Sequence, residues 1–327
     1  MPQISQFRLA VIIPVYNVEP YLSGCLNSLT AQTFTEWTAF IIDDGSTDNS
    51  GKIADDFALH DARFCVCHTA NAGLSAARNY GLEMALKEGM FSAITFLDSD
   101  DMLYYDAYST ALRHLSLANT DVVCFGWNRL FDDGRVTSAP FIHETGPLSI
   151  AEYVSAVFSH RKWRGSNGAW GIVWNKIFKT DCIKSIRFND KREINEDELF
   201  CIEANPGSVF FIAEPFYLYR QREGSLIKTE NMPLRLQLGR LLCIEAIKNN
   251  SHDSAKHIRI IAEAMLYTMQ GIYKDPLRYN KGSHVILKKC ASTISSSLSS
   301  REMSELPGIS RSTLEFVDYL AKARDVA

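Results

Sequence analysis

Apolar and polar positions alternate in blocks over the first part of the chain and predict strands and helices in turn. The run from Leu9 to Val15 is continuously apolar, as expected of a strand that is buried on both faces. Residues 18–32 then carry apolar side chains at helical spacing. The same signals predict further strands at 37–42, 63–69, 93–97 and 121–127, with helices at 48–59, 74–87 and 104–117. Such alternation with short connections predicts an α/β fold in which helices flank a mostly parallel sheet.

Beyond residue 127 the pattern becomes less regular. Residues 128–148 are typical of an irregular segment or of a hairpin that turns at Asp132-Asp133-Gly134. Residues 209–219 are typical of two short strands separated at Glu214-Pro215. From about residue 233 onward, apolar residues recur only at helical spacing, which predicts an α-helical C-terminal extension.

Polar clusters follow three of the predicted strands. Tyr16-Asn17 follows the first strand, Asp43-Asp44-Gly45-Ser46 the second and Asp98-Ser99-Asp100-Asp101 the fourth. Open α/β sheets bind ligands at the carboxyl ends of their strands. We therefore expect these clusters to form one site.

The Asp98-Ser99-Asp100 segment carries two carboxylates one residue apart. Such oxygens can share Mg²⁺ or Mn²⁺, and the cation would stabilise a departing nucleoside diphosphate. Alternatively, Asp100 or Asp101 could cap the helix that follows. Clustered anions repel one another in the absence of a cation, which favours the metal site.

Residues near the other strand ends could bind the rest of a nucleotide. Tyr16 could stack on a base, and a carboxylate of Asp43 or Asp44 could hold a pyrimidine N–H or a ribose hydroxyl. A turn and a helix cap are the alternative for these two acids. Arg78, in the helix that follows Gly73, could bind a phosphate or an aspartate of the site, or it could form a surface salt bridge.

Two downstream pairs complete the candidate chemistry. Glu196-Asp197 could take the proton of an attacking hydroxyl, although acidic residues are also common at helix N-termini. Arg220 and Arg222 could clamp a diphosphate, or they could lie in a solvated loop.

Together these segments resemble the family-2 glycosyltransferases, which have the GT-A fold. The resemblance covers residues 7–225, and the matching segments, in the family's order, are 11–17, 42–48, 71–81, 96–101 and 196–200. It implies a Rossmann-like GT-A catalytic domain at 1–229 with a helical extension at 230–327. Within that domain, 1–127 would be the nucleotide-sugar-binding half and 128–229 the acceptor-side half.

The resemblance also implies an activity. The chain would be an inverting, metal-dependent hexosyl- or N-acetylhexosaminyltransferase that uses Mn²⁺ or Mg²⁺. Its donor would be a nucleotide sugar, with a UDP-sugar favoured. Its acceptor would be a hydroxyl of a glycan or a lipid-linked saccharide in the synthesis of a cell-surface polysaccharide, such as capsule or the O-antigen of lipopolysaccharide. The Q-x-x-R-W motif of processive synthases is absent, which favours single addition.

Each matched position takes a role by the same resemblance. The nucleotide-sugar-binding residues would be Pro14, Tyr16, Asp43, Asp44, Arg78, Asp98, Ser99, Arg220 and Arg222. The metal ligands would be Asp98 and Asp100, and the catalytic base would be Asp197. The acceptor-side residues would be Trp174, Asn175, Lys176 and Glu196.

Composition and charge narrow the function classes. The formal net charge of −4 disfavours a surface that coats nucleic acid. The eight cysteines form no C-x-x-C pair, which favours reduced thiols in a cytosolic protein over a zinc site. No apolar run approaches the ~20 residues needed to cross a bilayer, and the N-terminus lacks a signal-peptide pattern.

We therefore expect a cytoplasmic protein. Lys281, Lys288 and Lys289 leave open a contact with the inner face of the plasma membrane, although packing of the C-terminal helices on the core is favoured. The oligomeric state is open.

Two other functions are consistent with parts of the pattern. A nucleotidyltransferase also uses a doubly wound sheet and acidic metal ligands, but it usually has a glycine-rich basic loop where this chain has residues 14–19. A catalytically silent subunit that binds sugar nucleotides during assembly is the second alternative. The presence of Asp98, Asp100 and Asp197 argues against it.

Overall fold

The apolar first strand lies in the middle of a mixed ten-stranded sheet. The computed structural model describes residues 4–117, 120–138, 144–158, 171–189, 196–222, 283–306 and 309–322, together with 241, 258–259, 261–263, 265–266 and 269. Within these residues the strands are β1 (Leu9–Val15), β2 (Trp37–Asp43), β3 (Phe64–His68), β4 (Ala93–Phe96), β5 (Met102–Leu103), β6 (Val122–Phe131), β7 (Val136–Ser138), β8 (Gly146–Leu148), β9 (Lys176–Lys179) and β10 (Val209–Gln221). The helices are α1 (Glu19–Thr30), α2 (Ser50–His60), α3 (Leu74–Glu88), α4 (Ala107–Leu117), α5 (Ile150–Phe158), α6 (Thr180–Ile183), α7 (Glu196–Glu203), α8 (Ser283–Ser297), α9 (Ser300–Glu305) and α10 (Arg311–Lys322).

The strand order is β3-β2-β1-β4-β9-β6-β10-β5, with β7 paired to β6 and β8 paired to β10. The first four strands in this order are mutually parallel. β9 runs antiparallel to both β4 and β6, while β6 and β10 are parallel. The predicted α/β fold with a mostly parallel sheet is therefore confirmed.

The continuous apolar run of β1 is explained by burial on both faces of the sheet. Ala10 and Ile12 belong to one hydrophobic cluster, whereas Val11 and Ile13 belong to the other. Side chains of α1 and α4 fill the second cluster, and those of α3, α5 and α7 fill the first. Successive side chains of a strand point to opposite faces, so a strand covered on both sides requires apolar residues at every position.

The C-terminal helices pack on the face of the sheet that α3 covers. Their buried residues Met269, Ile294 and Leu320 belong to the same cluster as Ile12 and Phe96. The predicted helical extension and its packing on the core are confirmed for the described residues. The predicted helical residues Leu234, Leu238, Leu242 and Ile272, together with Lys281, lie outside them.

The local structure differs from two of the sequence-based predictions and agrees with part of a third. The predicted helix at 104–117 begins only at Ala107, and residues 102–103 form β5 instead. The two strands expected within 209–219 are one strand, β10, because Pro215 sits at an irregularity opposite Gly126, where a missing N–H is tolerated. The hairpin turn at Asp132-Asp133-Gly134 is confirmed by the antiparallel pairing of β6 with β7, whereas residues 146–148 form β8, which pairs with β10.

Candidate active site

The loops that follow β1 and β2 meet at the carboxyl edge of the sheet, as expected. The backbone N–H of Asn17 donates to Ser46 Oγ at 3.1 Å, and that of Thr47 donates to Asn17 Oδ1 at 2.8 Å. The Tyr16 side chain is 49% exposed beside this junction, so its ring is available for stacking. Pro14 is buried within β1 and lies opposite Ile42 of β2.

Asp43 and Asp44 are both buried, and both carboxylates accept hydrogen bonds from the chain. Asp44 accepts the backbone N–H groups of Ala72 and Gly73, each at 2.8 Å. It thereby fixes the loop that leads into α3. Gly45 adopts a φ of +74°, and a Cβ there would lie 2.9 Å from Asn71 N, so this turn requires glycine.

Asp43 is held by the end of β3. Its Oδ1 accepts the Ser46 N–H at 3.0 Å, and its Oδ2 contacts His68 Nδ1 at 2.8 Å. Burial would raise the pKa of Asp43, but the hydrogen bonds from Ser46 and His68 outweigh it and lower that pKa. Hydrogen bonds to Asp43 and Asp55 raise the pKa of His68. His68 was not singled out from the sequence, although its place at the carboxyl end of a strand was a usable signal.

Arg78 of α3 connects three segments of the site and is only 1% exposed. Its Nη2 donates to Asp98 Oδ1 at 2.9 Å, and its Nη1 donates to Asp197 Oδ1 at 2.6 Å and to Glu196 Oε1 at 3.1 Å. The surface salt bridge considered for Arg78 is therefore wrong. Burial would lower the pKa of Arg78, but the three carboxylates outweigh it and raise that pKa. The guanidinium is thus a permanent positive charge between the D-x-D segment and α7.

Asp197 lies in the first turn of α7. Its Oδ2 accepts the backbone N–H of Val173 at 3.2 Å, while Arg78 holds Oδ1. Burial raises the pKa of Asp197 to about 7. The Arg78 charge opposes this rise, whereas the Glu196 charge adds to it. A carboxylate whose pKa is near neutrality can accept a proton efficiently at neutral pH.

The Asp98-Ser99-Asp100-Asp101 segment forms a turn between β4 and β5, and the Asp101 N–H donates to Asp98 O at 3.1 Å. Because β5 follows directly, the helix-cap alternative for Asp100 and Asp101 is wrong. Asp101 is buried and accepts the Tyr217 hydroxyl at 2.8 Å and the Arg220 backbone N–H at 2.7 Å. Ser99 is also buried, at 6% exposure.

Two arginines from the end of β10 reach this turn. Arg222 Nε donates to Asp100 Oδ2 at 2.6 Å, and Arg220 Nε donates to the Asp100 carbonyl at 2.8 Å. Their guanidinium carbons lie 4.9 Å (Arg220) and 5.7 Å (Arg222) from the centre of the Tyr21 ring. The solvated loop considered for this pair is therefore wrong, and guanidinium groups supply part of the positive charge expected beside the aspartates.

The D-x-D carboxylates keep oxygen atoms suitable for a hard cation. The second oxygens, Asp98 Oδ2 and Asp100 Oδ1, accept no hydrogen bond from the described residues, and the side chains are 25% and 23% exposed. No cluster of three or more His, Cys, Asp or Glu able to hold a metal occurs in the described part of the chain. Two carboxylates fit Mg²⁺ or Mn²⁺ chemistry, because Mg²⁺ is usually bound by one or two carboxylates with substrate phosphates and water.

The predicted acceptor-side residues lie largely in the interior. Trp174 is 4% exposed and stacks on the Tyr217 ring, with 4.1 Å between centroids. Asn175 and Lys176 are buried, and Lys176 Nζ donates to Ile172 O at 2.6 Å and Asn175 Oδ1 at 2.8 Å. The Glu196 side chain is 13% exposed. Tyr217 was not singled out from the sequence, because nothing in the pattern of β10 marks it.

None of the helices in the described ranges has the length and apolar character needed to cross a bilayer.

Comparisons with known proteins agree with this architecture. Residues 10–179 match the model of glycosyl transferase family 2. The chain is 31% identical to glycosyltransferase GlyG of Streptococcus pneumoniae serotype 4 over 68% of this chain and 73% of GlyG. It spans 64% and 62% of the length of two Bacillus subtilis relatives, which is less than two thirds.

Solved structures share the fold. The structure of Staphylococcus aureus TarS 1–349 in complex with UDP-GlcNAc has a TM-score of 0.74 at 21% identity, over 96% of this chain and 87% of that one. The mannosyltransferase PcManGT of Pyrobaculum calidifontis, solved with GDP-Man and Mn²⁺, has a TM-score of 0.53 at 13% identity, over 98% and 87%.

The sheet, the flanking helices and the C-terminal helices form the GT-A fold. The chain belongs to glycosyltransferase family 2. The nucleotidyltransferase and the catalytically silent subunit considered from the sequence are thereby set aside.

Proposed function

We propose that this chain transfers one sugar from a UDP-sugar to a hydroxyl of a glycan or lipid-linked saccharide, with inversion at the anomeric carbon. The acceptor would belong to a cell-surface polysaccharide such as capsule or the O-antigen of lipopolysaccharide. GlyG supports the glycosyltransferase class at 31% identity. TarS is a poly(ribitol-phosphate) β-N-acetylglucosaminyltransferase and was solved with UDP-GlcNAc, which makes that nucleotide sugar the first donor to test.

The observation that carries the proposal is the contact of Arg78 with Asp98, Glu196 and Asp197. These carboxylates lie 20, 118 and 119 residues away in sequence. One guanidinium therefore joins the end of β4 to the first turn of α7. A transferase needs its leaving-group site and its proton acceptor within one sugar ring of each other, and this junction supports that arrangement.

On the donor side, Tyr16, Asp43 and Asp44 would contact the nucleoside, with Pro14 shaping the pocket. Asp43 and Asp44 already accept hydrogen bonds from the chain, but a carboxylate offers about four lone-pair sites. Asp98, Ser99, Arg78, Arg220 and Arg222 would surround the diphosphate.

Asp98 and Asp100 would hold a divalent cation. When bound, Mn²⁺ or Mg²⁺ would neutralise charge on the diphosphate as it departs. Arg78 and Arg222 keep one oxygen of each carboxylate in place. The arginines and the cation would thus act on the same two side chains.

On the acceptor side, Asp197 would act as the base. Its carboxylate takes the proton of the acceptor hydroxyl as the oxygen forms a bond to the anomeric carbon. The bond from that carbon to the diphosphate breaks, and its electron pair leaves with the nucleoside diphosphate. One displacement inverts the centre, so an α-linked donor gives a β-glycoside. Trp174, Asn175, Lys176 and Glu196 would shape this side of the site.

We further propose that residues 1–229 form the catalytic domain and 230–327 the helical extension. Within the catalytic domain, 1–127 would bind the donor and 128–229 the acceptor. The enzyme would act in the cytoplasm, where nucleotide sugars are made, and a lipid-linked acceptor would bring it to the inner face of the membrane.

A thermal-shift screen of nucleotide sugars with Mn²⁺ tests the donor class. A ligand at one hundred times its Kd stabilises the folded state by about 2.7 kcal/mol. UDP-GlcNAc or another UDP-sugar should raise the melting temperature of the wild type, and Asp100→Asn should reduce that rise. A screen in which no nucleotide sugar stabilises the protein would contradict the proposal. If a UDP-sugar does stabilise the protein, slow release of UDP without an acceptor would show hydrolysis of that donor by the enzyme.

A further inference from the structure

The end of β10 runs alongside the turn that carries Asp98 and Asp100. The Tyr217 hydroxyl donates to Asp101 Oδ2 at 2.8 Å and accepts the Asp98 backbone N–H at 3.2 Å. Three residues further on, Arg220 donates its backbone N–H to Asp101 Oδ1 at 2.7 Å. One strand therefore holds both ends of this turn.

Two connections bridge the ends of the 98–101 turn, one through the backbone and one through the Tyr217 hydroxyl. The first link is the hydrogen bond from the Asp101 N–H to Asp98 O at 3.1 Å. A phenolic hydroxyl has one proton and can also accept, so it can bind Asp98 and Asp101 at the same time. The two metal-ligand candidates, Asp98 and Asp100, lie within the segment that these links span.

The ring of Tyr217 gives the hydroxyl a fixed position. Tyr217 is fully buried, and its ring stacks on Trp174 with 4.1 Å between centroids and 19° between planes. Trp174 itself packs edge-on against Trp127 at 5.8 Å. Because a stacked, buried ring has little freedom to rotate or shift, its hydroxyl is a rigid anchor for the turn.

We propose that Tyr217 is a positioning residue for the divalent cation of this enzyme. Its hydroxyl holds the 98–101 turn so that the carboxylates of Asp98 and Asp100 face one cation. The inference rests on the proposed metal site at these two aspartates. Tyr217 acts through the turn, because its hydroxyl is occupied by Asp98 and Asp101.

Loss of the hydroxyl should weaken metal binding without disturbing the aromatic packing. Residues that orient metal ligands commonly change metal affinity by about 10- to 100-fold when they are substituted. For Tyr217→Phe, which keeps the ring on Trp174, we expect the Kd for Mn²⁺ to rise about tenfold, equivalent to about 1.4 kcal/mol.

Tyr108→Phe is the matched control. Tyr108 is also buried, at 1% exposure, and its hydroxyl makes no hydrogen bond to the 98–101 turn among the described residues. This variant therefore removes a buried hydroxyl that does not touch the turn. Asp100→Asn is the second control, because it removes a proposed ligand.

The experiment titrates Mn²⁺ into the wild type and the three variants, each with excess UDP to supply the phosphate oxygens, and follows free Mn²⁺ by electron paramagnetic resonance. We expect Tyr108→Phe to bind like the wild type, Tyr217→Phe to bind about tenfold more weakly, and Asp100→Asn to lose most binding. Wild-type affinity in Tyr217→Phe, or an equal loss in Tyr108→Phe, overturns the role of Tyr217 while the metal site stands. A wild type that binds no Mn²⁺, or an Asp100→Asn variant that binds normally, overturns the metal site and this inference together.

A metal-free measurement tests the same link directly. Hydrogen–deuterium exchange of the peptide that covers 97–103 should quicken in Tyr217→Phe, because the Asp98 amide loses its acceptor, and should stay unchanged in Tyr108→Phe. Unchanged exchange in Tyr217→Phe contradicts the anchor. In turnover assays, Tyr217→Phe should need more Mn²⁺ for its half-maximal rate but should keep the wild-type rate at saturating Mn²⁺. A purely structural role would not change the first quantity while leaving the second unchanged.

Discussion

Substitution of Glu196 by Gln tests the electrostatics around the proposed base. Glu196 Oε1 and Asp197 Oδ1 accept hydrogen bonds from the same atom, Arg78 Nη1, at 3.1 and 2.6 Å, so these oxygens lie within about 6 Å of each other. The Glu196 charge is one of the causes that raise the pKa of Asp197 to about 7. Glu196→Gln removes this charge and keeps an oxygen that can accept from Arg78.

The size of the effect follows from Coulomb's law. Two unit charges about 6 Å apart interact by about 0.7 kcal/mol in bulk water and by about 3 kcal/mol at an effective dielectric constant of about 20. One pKa unit corresponds to about 1.4 kcal/mol. Glu196→Gln should therefore lower the pKa of Asp197 and move the pH dependence of the rate down by between about 0.5 and 2 pH units.

The assay is the pH profile of kcat/KM, which reports the pKa of the base in the free enzyme. Only the carboxylate form of Asp197 can take a proton, so the wild-type rate should fall about tenfold per pH unit below its pKa, which is about 7. The variant should keep its activity to lower pH. Glu203→Gln is the control, because this residue lies at the far end of α7, about 10 Å along the helix. An acid limb that stays in place in Glu196→Gln, or that moves to higher pH, would refute the reasoning.

Two further predictions concern stability. Arg78→Met should lower the free energy of unfolding by about 3–5 kcal/mol, since it leaves three carboxylates without their partner. Arg311→Met, which removes an exposed pair with Glu315, should cost less than about 1 kcal/mol. Equal losses in denaturant titrations would count against the buried junction. His68→Asn should lose stability mainly at low pH. The folded-state pKa of His68 is raised, so its contribution is full below the unfolded pKa and is lost as pH rises through the folded pKa. The difference in free energy of unfolding between wild type and His68→Asn should therefore be larger at about pH 6 than at about pH 9. A difference that does not change with pH would argue against the contribution of protonated His68.

The position of the site could be predicted because it depends on sheet topology and strand ends. The loops after β1 and β2 follow parallel neighbours, and such strands place their carboxyl ends at one edge. Asn17 and Ser46 accordingly meet there. The acidic turn after β4 follows the same rule, because β4 is also parallel to β1.

The partners of the acidic residues could not be predicted in the same way. Repulsion between Asp98 and Asp100 indicated only that a positive charge should be near. The contact of Asp100 with Arg222 spans 122 residues, and it depends on β10 lying between β6 and β5. The hydrophobic pattern of a strand indicates which of its faces are buried, but it does not indicate which strands lie beside it.

The local sequence pattern also failed to predict two features of the sheet that depend on pairing between distant strands. Pro215 indicated a break in β10, since proline cannot donate to a ladder. The strand continues because the irregularity falls at Pro215, where Gly126 of β6 lets the two backbones approach closely; a Cβ at Gly126 would lie 2.7 Å from Ala213 O. A two-residue strand such as β5 is too short to show a period of two.

The most direct test of the account is a comparison of catalysis and donor binding in Asp197→Asn. Asparagine can still accept from Arg78 but cannot take a proton from an acceptor hydroxyl. We predict that kcat falls by about 10²- to 10⁴-fold while the Kd for the donor, measured calorimetrically with Mn²⁺, stays close to that of the wild type. Retained activity, or a loss of donor binding that matches the loss of rate, would contradict the assignment of Asp197 as the base.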